Sequence, residues 1–137
     1  MSTFKKVLIL MFAAGWLLTG CGQRATEVQV TLTEFAIQSS VTDFQVGVPY
    51  HFVVTNAGQV DHEFMVMPPL SEDQMGMSME EMDQMAAVMI EEDELTPGKT
   101  QTVDYTFTEP APAGSLEMAC HTSDHYENGM KLPITVK

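Results

Sequence analysis

The chain has 137 residues, 45% hydrophobic and 18% charged, with a formal net charge of −13. That length suits one domain, and the composition suits a packed globular core rather than a disordered tail. The negative charge argues against nucleic acid as a partner, because phosphate backbones recruit Lys and Arg. Glycine and proline, nine and seven residues, are scattered as turns, which leaves no collagen-like or low-complexity tract. Twelve methionines and two cysteines need an explanation.

Lys5 and Lys6 precede an apolar run from Val7 to Leu18, closed by Leu18-Thr19-Gly20-Cys21. A basic start, a short apolar stretch and small residues make a secretory signal peptide, too short to stay behind as a spanning helix. The ending resembles the bacterial lipobox, in which the cysteine is lipidated and becomes the mature N-terminus. The expected division is a leader over 1–20, a lipid-bearing Cys21 with a tether to residue 26, and one domain over 27–137. The mature protein is then expected to be an exported lipoprotein, anchored at a periplasmic or extracellular membrane face. Cleavage leaves Cys120 as the only thiol, with no partner for an intrachain disulfide. Metal ligation is the first reason to keep such a thiol.

Beyond the tether, Val28, Val30 and Leu32 alternate with polar residues in the period of a strand. Phe44 and Val46 continue this pattern, followed by a break at Gly47 and Pro49. Phe52 and Val54 precede the turn residues Asn56-Ala57-Gly58, and Phe64 and Val66 end at Pro68-Pro69. Between Ser71 and Leu95 the rhythm changes. Met82, Met85, Ala86, Met89 and Ile90 fit the stripe of an amphipathic helix, with Ser78 and Glu81 as its capping box. Glu91 to Glu94 then fall at the carboxyl end, where the helix dipole should make them fray. Further strands follow at Val103, Tyr105 and Phe107, at Leu116 and Met118, and at Leu132, Ile134 and Val136. About seven short strands with turns between them predict an all-β fold, an antiparallel β-sandwich with a Met-rich helical insertion over about 68–97.

The chemistry concentrates in Cys120, His125 and Met130, a Cys-x4-His-x4-Met spacing between two strand patterns. A loop of this length can bend three side chains around one point, and His62 can supply a fourth. Two imidazoles and a thiolate with a weak axial thioether is the blue-copper donor set. Zinc does no redox work, and methionine is a poor zinc ligand. A Cys-His hydrolase pair would need an oxyanion loop, which the sequence does not offer. His121 is expected on the far side of its strand from Cys120, because adjacent strand side chains point to opposite faces.

Asn56-Ala57-Gly58, Asp61-His62-Glu63-Phe64 and the loop ending in Gly129-Met130-Lys131 together resemble the cupredoxin family. Its small electron carriers include plastocyanin, azurin, auracyanin and sulfocyanin. The resemblance implies an eight-stranded Greek-key sandwich holding one type 1 copper at one end, with His62, Cys120, His125 and Met130 as ligands. Many cupredoxins have Pro-Gly before the loop histidine, where Ser123-Asp124 stands here, which implies a less rigid loop. Many also have Asn where Glu63 stands, bonded to the residue after the cysteine. The resemblance therefore implies a supporting layer of Glu63, His121 and Asn56, with a Glu63–His121 side-chain hydrogen bond as a clasp.

Two functions compete at this stage. One is a non-enzymatic, membrane-tethered electron carrier whose redox partner is a basic protein such as a c-type cytochrome. The other is a copper chaperone or storage protein, for which Met75, Met77 and Met79 would be auxiliary Cu(I) ligands.

Overall fold

A computed structural model describes residues 24–137; the leader and Cys21 lie outside them. The strands are β1 (Thr26–Thr33), β2 (Ala36–Ser39), β3 (Asp43–Phe44), β4 (Pro49–Asn56), β5 (Phe64–Met67), β6 (Val88–Ile90), β7 (Thr100–Thr106), β8 (Ala111–Ala119) and β9 (Lys131–Val136). One short helix, α1 (Met79–Asp83), interrupts them. Two sheets form, ordered β2-β1-β4-β7 and β3-β9-β8-β5-β6. The expected all-β sandwich is thus present.

The alternation that predicted β1 and β4 reflects burial. Val28, Val30, Leu32, Phe52 and Val54 point into the space between the sheets and are buried, their polar neighbours pointing away. Phe44 anchors the far end of this core, its ring meeting those of Tyr50, Phe52 and Phe107 at centroid distances of 4.8, 5.8 and 5.1 Å.

Four expectations need correction. The sandwich is mixed rather than antiparallel: β1 pairs parallel with β4, and β3 with β9, because each second strand returns only after the chain has visited the other sheet. Val46 is exposed, since β3 stops at Phe44 and Gly47 turns the chain at φ 78°. The predicted helix is real only at its start. Ser78 caps α1 with the expected box to Glu81, but α1 ends at Asp83, and Val88–Ile90 is a strand paired with β5. Glu91 to Glu94 therefore follow a strand, with Glu92–Glu94 forming a 3-10 turn, and no helix end is present to fray. Pairing with the exposed edge of β5 outweighs the helical spacing of these methionines, and it adds a strand to the eight implied.

Candidate metal centre

Two segments bring the donors together. His62 sits just ahead of β5, and Cys120 just beyond β8, two strands that are hydrogen-bonded neighbours. The loop from His121 to Met130 then folds back: the His125 amide donates to Thr122 O at 2.9 Å, and the Met130 amide donates to His125 O at 3.0 Å. The Cys120 amide donates to Met130 O at 3.1 Å. These bonds hold the ends of the loop beside each other.

The side chains converge. His62 Nδ1 lies 3.2 Å from His125 Nδ1 and 3.8 Å from Cys120 Sγ, and His125 Nδ1 lies 3.5 Å from that sulfur. A point equidistant from the three atoms is about 2 Å from each, close to metal–imidazole and metal–thiolate bond lengths of ~2.0–2.3 Å. His62, Cys120 and Met130 are fully buried, and His125 is 8% exposed. Burial, reinforced by the neighbouring His125, lowers the His62 pKa and favours the neutral imidazole that a metal needs. Burial raises the Cys120 pKa, so the thiol keeps its proton until a cation replaces it. His62 Nε2 is buried without a hydrogen-bond partner among the described residues. The two Nδ1 atoms and Cys120 Sγ fit one metal ion, and two nitrogens with a thiolate, beside the buried Met130, select copper.

The supporting residues are arranged differently from expectation at one point. Glu63 does clasp the Cys120 segment, but its Oε1 accepts from the His121 backbone amide at 2.5 Å rather than from the imidazole. The His121 ring instead stacks on Tyr126 at 4.3 Å and 22°. A backbone amide cannot swing away as a side-chain imidazole can, so it is the better-placed donor. Burial pushes the Glu63 pKa up to about 7, partly opposed by that amide. Asn56 acts through the backbone. Its Nδ2 donates to Val60 O and Leu95 O at 2.8 and 2.6 Å, and its Oδ1 accepts from the Gly58 amide at 2.8 Å. The His62 amide donates to the same Leu95 O, so Asn56 positions the His62 segment without touching a ligand.

Glu63→Ala should therefore destabilise the protein by about 1–3 kcal/mol, because it strands a half-buried amide. His121→Ala leaves that bond in place, and the two effects should add. Urea titration of both variants and of the pair measures this. A coupling well above ~0.5 kcal/mol would restore the side-chain clasp.

Several participants carry no sequence signal. The loop lacks Pro-Gly, yet it is braced. Asp124 adopts φ 64°, and Asn128 caps it with amide and side-chain bonds to Asp124 O at 3.2 and 2.6 Å. Tyr126 is buried beside His125; its hydroxyl donates to buried Glu117 at 2.5 Å and accepts from the Leu70 amide at 3.2 Å. Lys131 lies over its ring at 4.2 Å. The β1–β2 hairpin closes the site from above, with Phe35 edge-on to His125 at 5.4 Å. Gly58 leaves room for both groups: a Cβ would lie 2.8 Å from His62 Nε2 and 2.7 Å from Glu34 Oε1, so one of these side chains would have to shift. Met75 and Met79 are exposed, whereas Met77 is half-buried.

No protein-family model and no curated protein sequence matches this chain. Solved structures do. Reduced auracyanin from the photosynthetic bacterium Roseiflexus castenholzii is similar at TM-score 0.60 and 20% identity, covering 85% of this chain and 99% of that one. The chain has the cupredoxin fold. Auracyanin B aligns at TM-score 0.58 and 17% identity over 82% of this chain and 89% of its own. An azurin from Methylomonas sp. strain J aligns at 0.58 and 12% over 83% and 99%. Within this cupredoxin fold, the donor set fits a single type 1 copper, held at the end of the sandwich opposite Phe44.

Proposed function

We propose that this protein is a blue-copper carrier that passes single electrons between redox partners at the outer face of a membrane. The observation that carries this reading is the enclosure of the site: three donors are fully buried, and only His125 approaches the surface. No substrate fits into so closed a site, whereas an electron needs only a ligand edge near the exterior. Bound copper would supply the Cu(I)/Cu(II) couple, which sulfur and imidazole ligands together accommodate. The chain's own part is to hold its donors still, through the Glu63 clasp, the Asn56 bonds to the His62 segment and the Tyr126 anchor under the loop.

Met130 would supply the weak thioether ligand. Met130→Leu should keep the intense visible band and raise the reduction potential, since losing a weak ligand favours Cu(I). Complete loss of copper binding in that variant would contradict the role of Met130 as a weak ligand.

A basic redox protein, such as a c-type cytochrome, is the expected partner. Phe35 and Val60 are exposed apolar residues at the metal end. Beside them an open hollow of about 400 Å³ is lined by Asp61, Glu91, Glu92 and Asp93. Apolar contact over His125 with an acidic rim favours fast, salt-sensitive encounter. The bimolecular electron-transfer rate with a basic cytochrome should fall steeply as ionic strength rises. A flat rate between low and moderate salt would remove the electrostatic part of the proposal. Membrane attachment is assigned to a lipid on Cys21, from the Leu-Thr-Gly-Cys ending of the leader.

A further inference from the structure

The β5 segment has two unlike faces. His62, Phe64 and Val66 alternate toward the sandwich core, and Glu63, Met65 and Met67 alternate away from it. Met65 and Met67 are nonetheless fully buried, because the insertion covers them. The covered compartment is chemically lopsided. Met65, Met67, Met77, Met82, Met85 and Met89 pack together, and only Leu70 and Ala86 complete the group. The much larger core between the sheets includes only two methionines, Met118 and Met130. Filling space does not require this concentration, since leucine and isoleucine pack with better-defined rotamers than methionine.

A second observation points to a cation. Asp83, beside Met82 on α1, has a buried carboxylate oxygen with no hydrogen-bond partner among the described residues. A shielded carboxylate oxygen left without a partner costs free energy, which a cation bound beside α1 would offset.

We propose that this compartment is a second metal site, taking one Cu(I) ion through thioether sulfurs. Neutral, soft ligands favour Cu(I) over Cu(II) and zinc, so the site holds the reduced ion without cycling. The half-buried Met77, Met85 and Met89 provide its access from solvent. Exposed Met75 and Met79 stand outside it. Met65 pairs in register with Ala119, the neighbour of Cys120, so the two sites lie on opposite faces of the same strand pair.

The test is a titration of the reduced full chain with Cu(I), against a competing Cu(I) chelator and with methionine ε-methyl NMR. Two equivalents should bind. The methyl signals of Met65, Met67 and Met82 should move within those two equivalents, while those of Met75 and Met79 stay. The Met65→Leu/Met67→Leu/Met82→Leu variant should bind one equivalent and keep the visible band of its Cu(II) form. Cys120→Ser should lose the other equivalent and keep the methyl shifts, which separates failure of this site from failure of the blue site. A single equivalent in the wild type, or unmoved Met65, Met67 and Met82 signals, would overturn the proposal. The wild-type NMR decides the matter even if the leucine variant does not fold.

Discussion

Cys120→Ser should abolish the intense visible absorption of the copper-loaded protein and weaken copper binding on the order of 100-fold or more, beyond what loss of a supporting residue costs. The absorption arises from charge transfer between thiolate and copper, and a serine oxygen is a harder donor that stays protonated near neutrality. Sulfur and oxygen differ little in size, and Cys120 is tied to Met130 through its backbone amide, so the sandwich should survive the change. Thr122 Oγ1 lies 3.4 Å from the sulfur and can partner the new hydroxyl. A copper titration followed by absorbance and by metal analysis of the desalted protein measures both effects. Retention of the band in the serine variant would show that the thiolate is not the ligand.

Phe44→Ala should cost about 3–5 kcal/mol, the usual range for removing a buried aromatic ring. Against a total stability of about 5–15 kcal/mol, that is a large fraction. β3 is two residues long and joins its sheet only through β9. Its attachment therefore depends on the Phe44 ring, which sits among Tyr50, Phe52 and Phe107. Backbone bonds to β9, from Thr135 N to Thr42 O and from Lys137 N to Phe44 O, both 2.9 Å, hold the segment but do not fill the space the ring leaves. The residue lies at the opposite end from the metal, so the folded fraction should retain an unshifted visible band. Urea unfolding gives the stability; a loss under about 1 kcal/mol would mean that this ring cluster does not hold the far end.

Legibility followed physical cause. β1 and β4 were readable because one face of each is buried and the other wet, which prints a period of two on the sequence. The ligand loop was readable because its three donors are close in sequence and their types are chemically selective. His62, 58 residues before Cys120, was found through its place at the start of a strand and through the resemblance. β6 was not readable, because Met82, Met85, Ala86, Met89 and Ile90 satisfy helical spacing while Val88 and Ile90 also satisfy alternation. Only pairing with β5 decides between them.

Burial of Glu117 was hidden for a related reason. Leu116-Glu117-Met118 reads as a strand with one wet face, but the insertion covers that face and Tyr126 takes the carboxylate. Tyr126 itself follows a ligand in a loop, where no periodicity marks a buried residue. Phe35 and Glu34 belong to a hairpin whose approach to the histidines depends on how two sheets stack. The Glu63 clasp is legible in its location but not in its donor, since alternation places side chains on a face without saying which group on that face donates.

One rigid set of donors, His62, Cys120 and His125, should hold copper in both oxidation states. X-ray absorption at the copper edge, on protein loaded with one equivalent and measured oxidised and then reduced, tests it most directly. One sulfur and two nitrogens should lie within about 2.0–2.3 Å in both states, with little change between them. A shell of nitrogen and oxygen alone, or loss of a nitrogen or of the short sulfur on reduction, would contradict it.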